Sequence, residues 1–238
     1  ISLITIFAIA VPIVYFWMML RSKKVTKVEH SRVWAYVPLF LASVIFWAIE
    51  ESGSSVLAVF AANQTQLHFA GLHILPGWFQ MLNPLFILLY GPIFARLWVK
   101  MGEKQPSSPK KFSYGLVLAG LSYLVMMLPL MVSGISARVS PLWLVLSWAI
   151  VEIAEMLISP VGLSVTTKLA PKAFASQMMS MWFLSDAAGQ AINAQLVRFY
   201  TPGTEMVYFG IIGALTVVFG LLMLFIVPRI EKLMQGVN

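Results

Sequence analysis

Five carboxylates interrupt long apolar stretches of this sequence. Glu50, Glu51, Glu152, Glu155 and Asp186 are five of its nine acidic residues, and each sits inside a run that otherwise reads as a membrane span. An ionised carboxylate at the centre of such a span costs at least about 2.5–3.5 kcal/mol on insertion scales. No Lys or Arg lies comparably deep. These acids are therefore protonated, or face water, or take cationic partners from a substrate or from another part of the protein. All three options require a polar cavity.

Helical spacing gives that cavity walls. Trp47, Glu51 and Ser54 or Ser55 recur at i, i+4 and i+7 or i+8, which places an aromatic ring, a carboxylate and hydroxyls on one face of a continuous helix. Glu152 and Glu155 share a side that Ser159 and Gly162 continue, and Gly162 leaves room there for a ligand. Pro160 frees a backbone carbonyl and permits a bend beside the acid. Trp182, Asp186, Gln190 and Asn193 make one polar and aromatic stripe, while Asn83, just before Pro84, can satisfy backbone groups at a kink. His30, His68 and His73 lie in connections with no metal-ligand spacing, and the absence of cysteine removes thiolate sites and cysteine nucleophiles, so neither metal nor cofactor is expected. Two carboxylates at i, i+3 do not by themselves assemble a cleft or a nucleophile, so the chain does not read as an enzyme.

The elements that carry these residues are helices in lipid. The chain has 238 residues, 60% of them hydrophobic and 11% charged, which excludes an ordinary soluble domain. Apolar runs and their Gly and Pro breakers predict seven helices, at about 1–20, 33–61, 78–99, 112–133, 141–168, 173–200 and 206–227. The first run lacks a basic leader and is followed by Arg21, Lys23 and Lys24, so it reads as a span whose upstream chain is missing and not as a signal peptide. The net charge of +7 does not point to nucleic acid. All Lys and Arg except Arg138 and Arg198 gather at the first, third and fifth connections and in the C-terminal tail, the pattern of cytoplasmic loops beside anionic headgroups. Residues 1–31 then form a linker helix with a basic loop, and 32–238 a six-helix bundle. An all-α bundle of six spans with both ends inside matches one half of a major facilitator, built from two inverted three-helix repeats; an unrelated seven-helix protein is the alternative. Gly115, Ala119 and Gly120 suit close helix packing.

Motif by motif the sequence resembles the proton-dependent oligopeptide transporter family. The resemblance is carried by 46–55 (FWAIEESGSS), by Leu82-Asn83-Pro84, by 155–164 (EMLISPVGLS) and by the run from Leu169-Ala170-Pro171 to Met181-Trp182-Phe183-Leu184, in that order and over nearly the whole chain. It implies the C-terminal half of a symporter for di- and tripeptides, driven by protons and working by alternating access in a bacterial plasma membrane. Carried over by position, Asn83 and Glu155 hold the peptide amino terminus, with Ser159 beside Glu155. Trp47, Trp182 and Phe183 line side-chain pockets or gates. Glu51 pairs with a cationic residue of an N-terminal half, and Glu50 and Pro160 join it in coupling and gating. Asp186 belongs to the same surface, although it stands where a small or neutral polar residue is expected, and Ser52 stands where the family commonly has Gln. A facilitator for another solute class and a non-transporting membrane subunit are the competing readings.

Overall fold

The computed structural model describes residues 3–69, 71–134 and 137–237; the first two residues of the first predicted span lie outside them. Its long helices are α1 (Leu3–Arg21), α2 (Lys27–Glu50), α3 (Val56–Gln64), α4 (Leu82–Met101), α5 (Ser108–Ser133), α6 (Leu142–Leu169), α7 (Ala175–Leu196) and α8 (Glu205–Leu233). A 3-10 turn, Glu51–Ser54, joins α2 to α3 into one bent span, so the seven predicted spans are present as helices. Six are long and apolar enough to cross a membrane, and the chain is a multi-pass membrane protein. The seventh, α7, falls short on composition because it carries the polar stripe, yet its 22 residues reach about 33 Å, the thickness of a bilayer core. Packing against α1, α2 and α6 buries Met178, Met181, Trp182 and Ser185 of α7, which lets a helix of this polarity sit inside the bundle.

The first connection is shorter than predicted. Thr26 caps α2 in a reciprocal box with Glu29, whose Oε2 accepts from the Thr26 N–H at 2.8 Å. The helix therefore starts at Lys27, and a boundary drawn between residues 31 and 32 falls inside it. Helix α1 packs on α2 and α7 through Phe16, whose ring meets Phe40 edge-on at 5.4 Å.

Lipid supplies no hydrophobic drive between helices, so close backbone approach has to hold the bundle. Helices α5 and α8 meet glycine to glycine: a Cβ on Gly120 would lie 2.6 Å from the Gly213 carbonyl oxygen, and one on Gly213 2.8 Å from that of Gly120. Gly115 leaves room for Ile158 of α6. Around these seams Phe46, Phe60, Phe112, Tyr123 and Phe209 form the buried core. Helix α4 is the exception. It packs against α6 and has no buried residue.

Hydrogen bonds tie the connections into two ends. At one end the Lys172 N–H donates to Glu29 Oε1 at 2.9 Å, Ser31 Oγ to the Leu233 carbonyl at 2.8 Å, and Ser107 Oγ to Glu231 Oε1 at 2.5 Å. This is the end to which the predicted basic connections belong. At the other end the Val139 N–H donates to the Gln64 carbonyl at 2.8 Å, and the Tyr200 hydroxyl to Gln64 Oε1 at 3.3 Å. Arg138 and Arg198 belong to that end.

Candidate functional site

The bend between α2 and α3 organises the site. Ser52 Oγ turns back to donate to the Ile49 carbonyl at 2.5 Å, and Gly53, where any Cβ would overlap the Trp148 indole, lets α6 press against the unwound turn. A broken helix inside a membrane leaves carbonyls to satisfy. Gln80 donates to the Gly53 carbonyl at 2.6 Å and so closes one of them.

This bend corrects the expectation of one continuous helical face through Trp47, Glu51 and Ser54 or Ser55. Glu51 opens the 3-10 turn, where residues advance about 120° each instead of 100°, so α-helical spacing no longer predicts direction. Ser54 Oγ donates locally to the Glu51 carbonyl at 2.9 Å, and Ser55 Oγ accepts from Asn193 of α7 at 3.2 Å.

Two side-chain amides bridge two pairs of acids. Asn83 Nδ2 donates to Glu50 Oε1 at 2.6 Å and to Glu152 Oε1 at 2.9 Å, linking α4 to α2 and α6. Gln190 Nε2 donates to Glu51 Oε1 at 3.2 Å and to Asp186 Oδ1 at 3.1 Å, linking α7 to the bend. Glu50, Glu152 and Glu155 each bring a carboxylate oxygen within 4.8 Å of the others. Glu152 is 0% exposed, and Glu152 Oε2 and Glu155 Oε2 are buried atoms that accept no hydrogen bond. Like charges so close cannot all be carried without a cation, and a proton on one carboxyl would also supply a missing donor. Ser159 Oγ reaches Glu155 Oε1 only at 3.5 Å, which leaves Glu155 the less satisfied member of the group. Beside the acids a cavity of ≈ 240 Å³ is lined by Glu50, Glu51, Ser54, Gln80, Asn83 and Trp148.

The aromatic residues divide. The rings of Trp47 and Trp182 meet edge-on at 6.3 Å, and Trp182 fills the notch at Gly162. Gly162 therefore makes room for an indole, and the expectation that it opens space for a ligand is corrected. Phe183, the next residue on α7, points to a different side and is 63% exposed, on the helix face that also carries Gln190. Pro160 does not end α6, which runs unbroken to Leu169. Sequence reasoning missed Gln80 and Trp148: a lone glutamine and a tryptophan are ordinary in a span, and only the unwound turn between them gives each a task.

This arrangement can hold a cationic group against several carboxylates and exchange protons among them. Known proteins of this shape confirm the architecture. The uncharacterized transporter YclF of Bacillus subtilis (strain 168) is 52% identical over 237 residues, matching 100% of this chain and 48% of its own length. The di-/tripeptide transporter of Lactococcus lactis subsp. cremoris is 50% identical over 242 residues, matching 100% of this chain and 49% of its own length. This chain thus spans about half the length of these curated relatives. A crystal structure of a peptide transporter POT in complex with sulfate superposes with a TM-score of 0.95 at 57% identity, over 99% of this chain and 48% of that one. A POT family transporter in complex with 5-aminolevulinic acid does so with 0.92 at 43% identity, over 96% and 48%. The family model of the POT family matches residues 1–218, and with these relatives it shows that the chain belongs to the POT family.

Proposed function

We propose that this chain is the C-terminal half of a proton-coupled symporter for di- and tripeptides, working by alternating access in a bacterial plasma membrane with its C-terminus in the cytoplasm. The observation that carries the reading is the carboxylate cluster, in which Glu50, Glu152 and Glu155 approach within 4.8 Å and buried oxygens of two of them accept no hydrogen bond. An ammonium group, with several donors and a positive charge, complements that cluster. The relatives support it: one is named for di- and tripeptides, and another binds 5-aminolevulinic acid, which carries an amino group at one end and a carboxyl at the other. The peptide carboxylate needs a basic surface, which an N-terminal half would supply. Asn83 and Glu155 take the amino terminus, with Ser159 beside them, while Trp47, Trp182, Phe183 and Asp186 border the substrate.

Glu51 is the coupling residue in this reading, with Glu50 next to it. Among the described residues its carboxylate receives only the neutral Gln190 amide, at 3.2 Å. A cation of the other half pairs with it when the halves close, and protonation weakens that pair and frees them to rearrange. In proteoliposomes of the full-length transporter, Glu51→Gln should abolish uphill dipeptide uptake driven by a proton gradient and spare counterflow, which moves no net proton. Gradient-driven accumulation at the wild-type level would remove Glu51 from this role. Failure of the unaltered transporter to accumulate dipeptides at all would remove the transport reading itself.

A further inference from the structure

A second cavity lies away from the acids, at the end where the basic connections are tied together. It has a volume of ≈ 540 Å³ and sits among the end of α4, the first turn of α5 and the last three turns of α6, from Pro160 onward. Ser164, which lines it, comes nine residues after Glu155, and at 100° per residue that places it on the opposite side of α6 from the acid. The cavity is therefore separate from the carboxylate site.

Its walls carry an unneutralised cation. Lys111 is 6% exposed, its Nζ donates to the neutral Gln105 Oε1 at 2.6 Å and lies 4.0 Å from the centre of the Trp98 ring, and among the described residues no carboxylate pairs with it. A charge this buried without a counter-charge is costly, which makes the site a receptor for an anion. Lys168 lines the same cavity from α6. The start of α5 adds to this: Ser107, the residue placed to cap the helix, donates its hydroxyl to Glu231, and the first turn has no side-chain cap although Ser107 and Ser108 border the cavity. Glu103 also lines it. Lys111 is thus a positive charge held beside a cavity with only a neutral amide and an indole against it, and the negative charge of a phosphodiester would match it.

We propose that this cavity binds a phosphate group, with Lys111 and Lys168 as its cationic contacts. The surroundings favour a phospholipid headgroup as the source. The cavity is at the end of the bundle where the basic connections gather, the pattern of loops beside anionic headgroups. The inference does not depend on the transport reading.

Native mass spectrometry of the full-length transporter, purified and stripped of lipid, tests it. Titrated phosphatidylglycerol should bind, and diacylglycerol of the same chains, which lacks the phosphate, should bind at least about five-fold more weakly. Lys111→Gln and Lys168→Gln should each weaken the phosphatidylglycerol interaction by about five-fold, and Lys100→Gln, an exposed lysine of α4 outside the cavity, should leave it unchanged. Because Lys111 is buried, Lys168→Gln serves as an independent arm should the first variant fail to fold. Inorganic phosphate goes into a parallel thermal-shift series. Stabilisation by free phosphate that disappears in Lys168→Gln, with no lipid preference, would keep the phosphate site and assign it to the free ion. Binding of lipid and of phosphate that is indifferent to both lysines would overturn the proposal.

Discussion

Asn83 gives one amide nitrogen to two carboxylates on different helices, and no other neutral group makes that connection among the described residues. Removing it in Asn83→Leu leaves Glu50 and Glu152 without a shared donor and lets them repel. Dipeptide affinity of the full-length transporter should fall by roughly ten-fold, the scale of one lost hydrogen bond to a charged group, as read by competition for uptake. Asn83→Asp should be worse, because it adds a fourth acid where a donor stood. Glu155 tests a different contact. With its Ser159 partner at 3.5 Å it is the acid freest to meet an incoming ammonium. Glu155→Gln should narrow the gap in affinity between a free dipeptide and one with its amino group blocked, by about 1.5–3 kcal/mol. Unchanged discrimination would move that role to Glu152 or Glu50.

Helix α2 is held to α7 at a distance only glycine allows. A Cβ on Gly189 would lie 2.5 Å from Trp47 Cβ and 2.9 Å from both the Ala48 nitrogen and the Val44 oxygen, so the backbone itself would have to move. Nearby, the Ser43 and Ser185 hydroxyls share a buried hydrogen bond of 2.7 Å. Gly189→Ala should therefore destabilise the protein by about 1–3 kcal/mol, the usual range for overpacking. It should also separate Gln190 from Glu51. Gly91 of α4 offers the control: nothing lies within 4 Å of its added Cβ, and Gly91→Ala should leave stability unchanged or raise it by up to about 1 kcal/mol through helix propensity. Thermal unfolding of the two variants in the same detergent makes the comparison.

The bundle presents an uneven surface as a whole. Helix α4 buries nothing, Phe183 and Gln190 of α7 are exposed, and the acid cavity lies beside the bend between α2 and α3. Under the proposed function, in which this chain closes against an N-terminal half, such an unfinished side is what the closure would use. The basic end is the opposite case, since hydrogen bonds from Ser31 and Ser107 to the last turns of α8, and from Lys172 to Glu29, tie its connections to one another. Spin labels near Ala170 and on the facing half should accordingly report a change of distance between inward-open and occluded states of the full-length transporter. Labels at Ala170 and near Leu233, both within this end, should keep theirs. A fixed distance across the halves with transport intact would rule out a gate at the α6–α7 turn.

Span number, the basic end and the presence of buried acids were legible in the sequence, because a bilayer acts on every window of about 20 residues and its demands are local. The polarity of α7 was legible for the same reason, and Asp186 and Gln190 do meet one turn apart, but Trp182 turns away from them into the notch at Gly162. The capping box at Thr26 and Glu29 is local too, and it moves the start of α2 to Lys27, ahead of where hydropathy alone placed it. What only the tertiary structure decided depends on which helix lies against which. The bend at Glu51–Ser54 broke a spacing argument that held on either side of it, and it survives because Trp148 fits over Gly53 and Gln80 takes the freed carbonyl. Gly162 resembled open space until Trp182 of another helix filled it. Spacing left Asn83 free to serve its own backbone at a kink, and the resemblance gave it to a peptide amino terminus; neither indicated that its amide joins two acids that stand 33 residues before it and 69 after it. Composition places a charge in the membrane, but its partners come from packed neighbours distant in the chain, and hydropathy carries no record of them.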